Sequence, residues 1–246
     1  MKKIELIVLD CDGVISIGEA RPFSLKLLAR LAEFNQRARL GADSPAVTLN
    51  TGRPSPYVEA VLQAIDGWQP ALYESGAGMY FPQTYRFATT PLFTANHKTI
   101  LQDIIRRIDR ELVRPGHAYW QPGKSVCYSL FAHQPLTIAD FFPTVEAIVN
   151  SISTDFTATP AGLALNIHPA GINKGTGLKW LAEVSGIEPA AMAGVGDSSG
   201  DVDFLKLVGY PAAPSNATDE VKAVARYVAP QPDAHGLLDI LDAWQL

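Results

Sequence analysis

Asp10 and Asp12 lie two residues apart at the end of the run Ile4-Glu5-Leu6-Ile7-Val8-Leu9, and Gly13 follows them. The apolar, partly β-branched run reads as a buried strand of a parallel sheet. Unpaired carboxylates are expensive inside a core, so both acids belong where the strand leaves it. Residues two apart on a strand point the same way, which aims the pair at one spot. Two carboxylates at the carboxyl end of a parallel strand suit a divalent cation, acid/base chemistry, or both. Taken alone, Asp-x-Asp-Gly is also an ordinary turn, so the other parts of a site must come from elsewhere in the chain.

Three further stretches offer them. Thr51-Gly52-Arg53-Pro54 follows the short strand Ala46–Asn50; the Thr51 hydroxyl can bond an anion, and Gly52 lets the backbone approach one closely. Thr51 is also expected to cap a helix starting near Pro54. Lys174 stands among glycines just ahead of the amphipathic helix Leu178–Val184, where a cation can meet an anion bound at the helix start. The strand Ala191–Val195 runs into Gly196-Asp197-Ser198-Ser199-Gly200-Asp201, a second acidic loop. No Walker loop is present, and the glycine spacing in the last loop is wrong for GxGxxG.

Three carboxylates drawn together repel one another, so their co-location implies a hard divalent cation, Mg2+, with water and substrate oxygens completing its shell. Lysine and threonine beside it suit a phosphate. A phosphate dianion approaching an aspartate meets repulsion of roughly 4 kcal/mol per charge pair at about 4 Å and an effective dielectric near 20. Mg2+ and Lys174 would cancel it.

The elements that must hold these residues alternate as strand and helix. After Gly13 comes a helix over Ser24–Phe34, with Ser24 as its cap, then the strand before Thr51, a helix to about Asp66 and a third strand near Pro70–Phe81. Gly76 and Gly78 predict a tight hairpin there. This is the start of a doubly wound α/β domain, in which ligands bind beyond the carboxyl ends of the strands. Between residues 83 and 166 the character changes to helices at His97–Val113 and Ile138–Ile152 and short strands at Ser125–Phe131, Phe156–Thr159 and Leu163–Ile167. The expected organisation is a parallel-sheet core, 1–82 and 167–246, carrying an inserted α+β domain, 83–166.

The composition suits a folded globular chain: 246 residues, 47% hydrophobic and 18% charged. A formal net charge of -5 without a basic run argues against nucleic acid or an anionic membrane as partner. The start Met1-Lys2-Lys3 runs into Asp10 too soon for a signal peptide, and no apolar stretch is long enough to cross a bilayer. Cys11 and Cys127 form no CxxC pattern, which points to reduced thiols and a cytoplasmic location. The sequon Asn216-Ala217-Thr218 reads as chance.

In order, Asp10-Cys11-Asp12-Gly13, Thr51-Gly52-Arg53, Lys174-Gly175 and Gly196-Asp197-Ser198-Ser199-Gly200-Asp201 resemble the four motifs of the haloacid dehalogenase superfamily of phosphohydrolases. The large insert between the second and third motifs resembles the branch with a type IIB cap. That branch includes Cof-like, sucrose-phosphate and mannosyl-phosphoglycerate phosphatases. The resemblance implies a Rossmann-like core and a Mg2+-dependent phosphatase of a small phosphorylated metabolite, a sugar or sugar-acid phosphate, whose cap supplies specificity. It assigns Asp10 as nucleophile and Asp12 as general acid/base. Thr51, Gly52 and Lys174 would hold phosphate oxygens. Asp10, the Asp12 backbone carbonyl and Asp197 would bind Mg2+, with Asp201, Ser198 and Gly13 in support.

Two departures from the family pattern stand out: Gly200 where relatives have Asn, and Ser75-Gly76 where they have Asn-Gly. His117, Tyr119, Trp120 and Lys124 are candidate cap contacts. A phosphohexomutase would need a second phosphate site, for which Arg106, Arg107, Arg110 and Arg114 are the only cluster in the insert. A non-catalytic metabolite-binding protein on the same scaffold would be expected to lack Asp10, Asp12 or Lys174.

Overall fold

The computed structural model describes residues 3–18 and 20–245. Met1 and Lys2, the start read as no signal peptide, lie outside them. In chain order the elements are β1 (Leu6–Leu9), α1 (Leu25–Arg39), β2 (Ala46–Leu49), α2 (Ser55–Ala64), β3 (Ala71–Tyr73), β4 (Gly78–Phe81) and β5 (Arg86–Thr89). Then come α3 (Ala95–Ile108) with a π-helical turn over Asp109–Val113, β6 (Ala118–Trp120), β7 (Tyr128–Ala132), α4 (Ile138–Ile152), β8 (Phe156–Ala161) and β9 (Ala164–Pro169). The chain closes with α5 (Lys174–Ser185), β10 (Met192–Val195), α6 (Val202–Leu205), β11 (Tyr210–Ala213), α7 (Asp219–Val224), β12 (Tyr227–Val228) and α8 (Asp233–Ala243). No helix of the described residues is long and apolar enough to cross a membrane.

Two compact units result, one from Met1–Ala88 with Asn173–Leu246 and one from Thr89–Ile172. The first contains a five-stranded parallel sheet in the order β12-β11-β10-β1-β2. β1 lies between β10 and the edge strand β2, in register Leu9 with Val195 on one side and Leu49 on the other. Its four residues are wholly buried because both faces are covered. Ile7 and Leu9 pack on Leu27, Leu31, Leu62 and Leu237 from α1, α2 and α8, while Leu6 and Val8 pack on Leu178, Leu181, Phe204 and Val221 from α5, α6 and α7. Each fully buried leucine contributes about 2 kcal/mol. Asp10 continues the Leu6–Val8 parity, so its carboxylate projects to the α5 side.

The third strand departs from the expectation of a core strand. Among the described residues β3 pairs with the parallel sheet at the isolated Asn50–Leu72 bridge and forms a separate antiparallel sheet, β3-β4-β5. The turn between β3 and β4 is the tight hairpin expected, with left-handed backbone at Glu74, Ser75 and Gly76. Gly76 is required there: a Cβ would stand 2.8 Å from the Gly177 Cα, where the turn packs on α5.

The second unit is a four-stranded antiparallel sheet, β6-β7-β9-β8, packed on α3 and α4 through Ile104, Ile108, Leu130, Val145 and Leu165. Strand alternation splits the aromatic cluster at 117–124. The Trp120 indole joins the core side and donates to Asp109 Oδ1 at 2.6 Å, whereas Tyr119 stacks on Phe131 and lies tilted against His133 across the other face. Arg106 pairs with Asp103, Arg107 with Glu111 and Ser151, and Arg110 with Glu111.

Candidate active site

The parallel sheet brings three of the four motifs to one rim, since β10, β1 and β2 are neighbours and end together. Asp10 N–H continues the ladder onto the Val195 carbonyl at 3.0 Å, and Asn50 N–H onto that of Leu9 at 2.8 Å. Asp10, Thr51 and Asp197 therefore follow directly from adjacent strand ends. The fourth motif arrives on α5, whose start is tied to β2 by the buried Asn50, which donates from Nδ2 to the Lys174 carbonyl at 3.0 Å.

Lys174 is the first residue of α5 rather than a residue ahead of it. The helix begins early because Asn173 caps it, accepting from the Thr176 N–H, and because Gly175 packs against Asp203. This placement buries the lysine and points its ammonium at two carboxylates, Asp10 Oδ1 at 2.9 Å and Asp201 Oδ1 at 2.5 Å. Burial alone would lower the ammonium's pKa, but those two carboxylates raise it above the ordinary lysine value, so it stays charged.

Asp10, Asp197 and Asp201 each place a carboxylate oxygen within 4.8 Å of the others. Asp201 is already committed: its Oδ2 accepts from the Asp197 N–H, the Ser198 N–H and the Ser198 hydroxyl, and its Oδ1 takes Lys174. It shapes the loop and aims the lysine. Asp197 is pushed up to about 8, first by burial and then by the charges of Asp10 and Asp201. Asp10 is pushed up to about 6 by burial, with Lys174 pulling the other way. Two acids that retain protons this near neutrality fit a divalent cation, which would supply the positive charge that one ammonium leaves short. Gly13 makes room for the arrangement: its φ is +76°, and a Cβ would stand 2.0 Å from Asp197 Oδ2.

Asp12 stands apart from this group. Its side chain is about a third exposed and is held by Arg53, Nε to Oδ2 and Nη2 to Oδ1, both at 2.6 Å, with the guanidinium 4.8 Å over the Tyr57 ring. Thr51 is buried and does not cap α2, which starts at Ser55 behind an extended Pro54; its Oγ1 instead accepts the Arg53 N–H at 3.3 Å. A Cβ on Gly52 would lie 3.5 Å from Ser75 Oγ, so the glycine of the second motif faces one of the two departures. At the other departure, a Cβ on Gly200 would make ordinary contact with Ser198 Oγ at 3.7 Å. The Cys11 thiol between the two acids is buried and its pKa pushed far up, by burial and then by Asp10 and Asp12, so it remains a neutral thiol.

Residue types and spacing did not single out Arg53, Asn50 or Asn216 for roles at this rim. Arg53 lies within the second motif, but its partner is 41 residues away. Asn216, noticed only as a sequon, donates to the Gly13 carbonyl and to Asp197.

The profile of the haloacid dehalogenase-like hydrolases matches residues 121–241. Among curated proteins, a phosphoglycolate phosphatase of Methanothrix thermoacetophila is 37% identical over 38% of this chain and 42% of its own length. One of Methanococcoides burtonii is 25% identical over 97% of this chain and 96% of its own. The chain thus spans about two fifths of the length of the first relatives it matches, 42% and 36%, and nearly all of the more distant one. Among solved structures, a Thermoplasma acidophilum protein superposes with a TM-score of 0.75 at 20% identity over 98% of both chains. A haloacid dehalogenase-like hydrolase from Bacteroides thetaiotaomicron does so with 0.73 at 16% identity over 99% of both. These structural likenesses establish the fold.

Proposed function

We propose that this chain, which belongs to the haloacid dehalogenase-like hydrolases, is a Mg2+-dependent phosphomonoesterase for a small phosphorylated acid or sugar. The observation that carries the reading is the meeting of Lys174 with Asp10 beside Asp197 at adjacent strand ends. Asp10 attacks phosphorus, and the bond from phosphorus to the leaving oxygen breaks as the Asp12 carboxyl gives that oxygen a proton. Asp12, now a carboxylate, takes a proton from water as the water attacks the aspartyl-phosphate, releasing phosphate and restoring Asp10. Lys174 has three N–H donors and spends two on Asp10 and Asp201, so the third is available to a phosphate oxygen alongside the Thr51 hydroxyl and the Gly52 backbone. Mg2+ held by Asp10, the Asp12 carbonyl and Asp197 would offset the charge of the phosphate dianion.

Phosphoglycolate heads the substrate panel because the curated relatives carry that name; sugar phosphates and sugar-acid phosphates follow. The test is phosphate release from this panel, with and without Mg2+, by wild type and by Asp10→Asn. Release that needs Mg2+ and vanishes in the variant supports the reading. Isomerisation of a sugar phosphate without release would establish a mutase, although three of the four arginines that reaction would draw on are already paired with acids. Tight binding without turnover would leave a metabolite-binding protein.

A further inference from the structure

Asn216 lies beyond β11, and its side-chain amide makes three bonds to three segments. Nδ2 donates to the Gly13 carbonyl at 3.0 Å and to Asp197 Oδ2 at 3.3 Å, while Oδ1 accepts the N–H of Asp233, the first residue of α8, at 2.8 Å. Two residues on, the Thr218 N–H donates to the Asp197 carbonyl at 2.8 Å. One loop therefore grips Asp197 at its carboxylate and at its backbone. A glycan on Nδ2 would replace one of its two hydrogens and so cost one of these donor bonds, which agrees with reading the sequon as chance.

We propose that Asn216 is a positioning residue for cation binding: it fixes Asp197 Oδ2 and the Gly13 carbonyl together, so that the Asp197 carboxylate would be held ready for a metal. This rests on the phosphatase reading above, in which Asp197 and the Asp12 carbonyl face Mg2+. Such a role needs something to hold the carboxylate from behind, because Gly13 offers no side chain as a wall. The chemistry of the residue suits the task. An amide donates without charge, whereas a carboxylate here would add repulsion to a cluster that already holds three, and a lysine would compete with the cation. Partners that orient metal ligands typically shift metal affinity by about 10- to 100-fold, and the exposed position of Asn216 places it near tenfold.

The alternative is that Asn216 merely ties the loop to α8. Calorimetric titration with Mn2+ and with Mg2+, together with thermal melts of the metal-free proteins, separates the two for wild type, Asn216→Ala and Asp197→Asn. The proposal expects cation affinity about tenfold weaker in Asn216→Ala than in wild type. Affinity equal to wild type, with only a lower metal-free melting temperature, would reduce Asn216 to a structural tie and overturn the proposal. Wild type that binds no cation and matches Asp197→Asn would remove the metal reading itself, and this proposal with it. Should Asn216→Ala fail to fold, Asn216→Gln keeps the amide but displaces it by a methylene, and the same loss of affinity is expected.

Discussion

Arg53 holds Asp12 with two parallel bonds, Nε to Oδ2 and Nη2 to Oδ1, each 2.6 Å. Both oxygens of the proposed acid/base are thereby engaged by one guanidinium, which in turn lies over Tyr57. To pass a proton to a leaving group, the carboxyl must give up one of these bonds. Positioned acid/base groups are worth about 10²- to 10⁴-fold in rate. Arg53→Ala should therefore lower kcat by about 10²-fold, near the bottom of that range because Asp12 itself remains. Arg53→Lys should recover little of this, since an ammonium cannot make the two-bond fork. Steady-state kinetics would show it; a change in KM alone would make Arg53 a substrate contact and not a partner of Asp12.

Gly13 leaves the space that Asp197 Oδ2 fills. Gly13→Ala combines a left-handed φ with a clash at 2.0 Å, and should cost more than about 1 kcal/mol, a fall of at least ~2 °C in melting temperature for a chain of this size. Cation affinity should fall with it. A variant as stable as wild type would mean that the loop relaxes and that Gly13 is not a spacer.

Lys174 faces two buried acids. Lys174→Met would strand them, and breaking a buried ion pair costs about 3–5 kcal/mol. The metal-free protein should be strongly destabilised, and Asp201→Asn in the same background should restore part of the loss. Little change in the melting curve would mean that the ammonium is solvated and not committed to the pair.

The raised Asp197 makes a prediction about pH. Its folded value near 8 lies above the ordinary 3.8, so between the two the native state holds a proton that the unfolded chain has lost. Stability of the metal-free protein must then fall as pH rises through about 8. His168, held below its usual 6.5 by burial, works in the opposite sense only at lower pH. Melting temperature should thus decline between about pH 6.5 and 8.5, and Asp197→Asn should flatten the curve. Cation affinity should rise over the same interval, because binding displaces the proton. A wild-type curve already flat would remove the argument that burial and repulsion raise Asp197.

Much of the fold and of the site was legible because the chemistry sits where strands end. One apolar run stops at Asp10 and another at Gly196-Asp197, which marks two strand ends, and the parallel pairing of β1 with both β10 and β2 completes the rim. Ser24 caps α1 as its position suggested. Lys174 was displaced by a turn because glycines on both sides of it look like helix breakers, whereas packing against Asp203 and Gly76 is what requires Gly175 and Gly177. Thr51 looked like a helix cap because nothing local shows that Pro54 delays the helix to Ser55. Asn216 reaches Gly13 across 203 residues, a pairing that no local pattern announces.

The central claim is that Asp10 carries the phosphoryl group. Acid quenching during turnover of a panel substrate with Mg2+, followed by peptide mass mapping, should find a phosphoryl adduct on Asp10 in wild type, and neither adduct nor phosphate release in Asp10→Asn. Phosphate release that persists in Asp10→Asn, with no adduct on Asp10 in wild type, would contradict it.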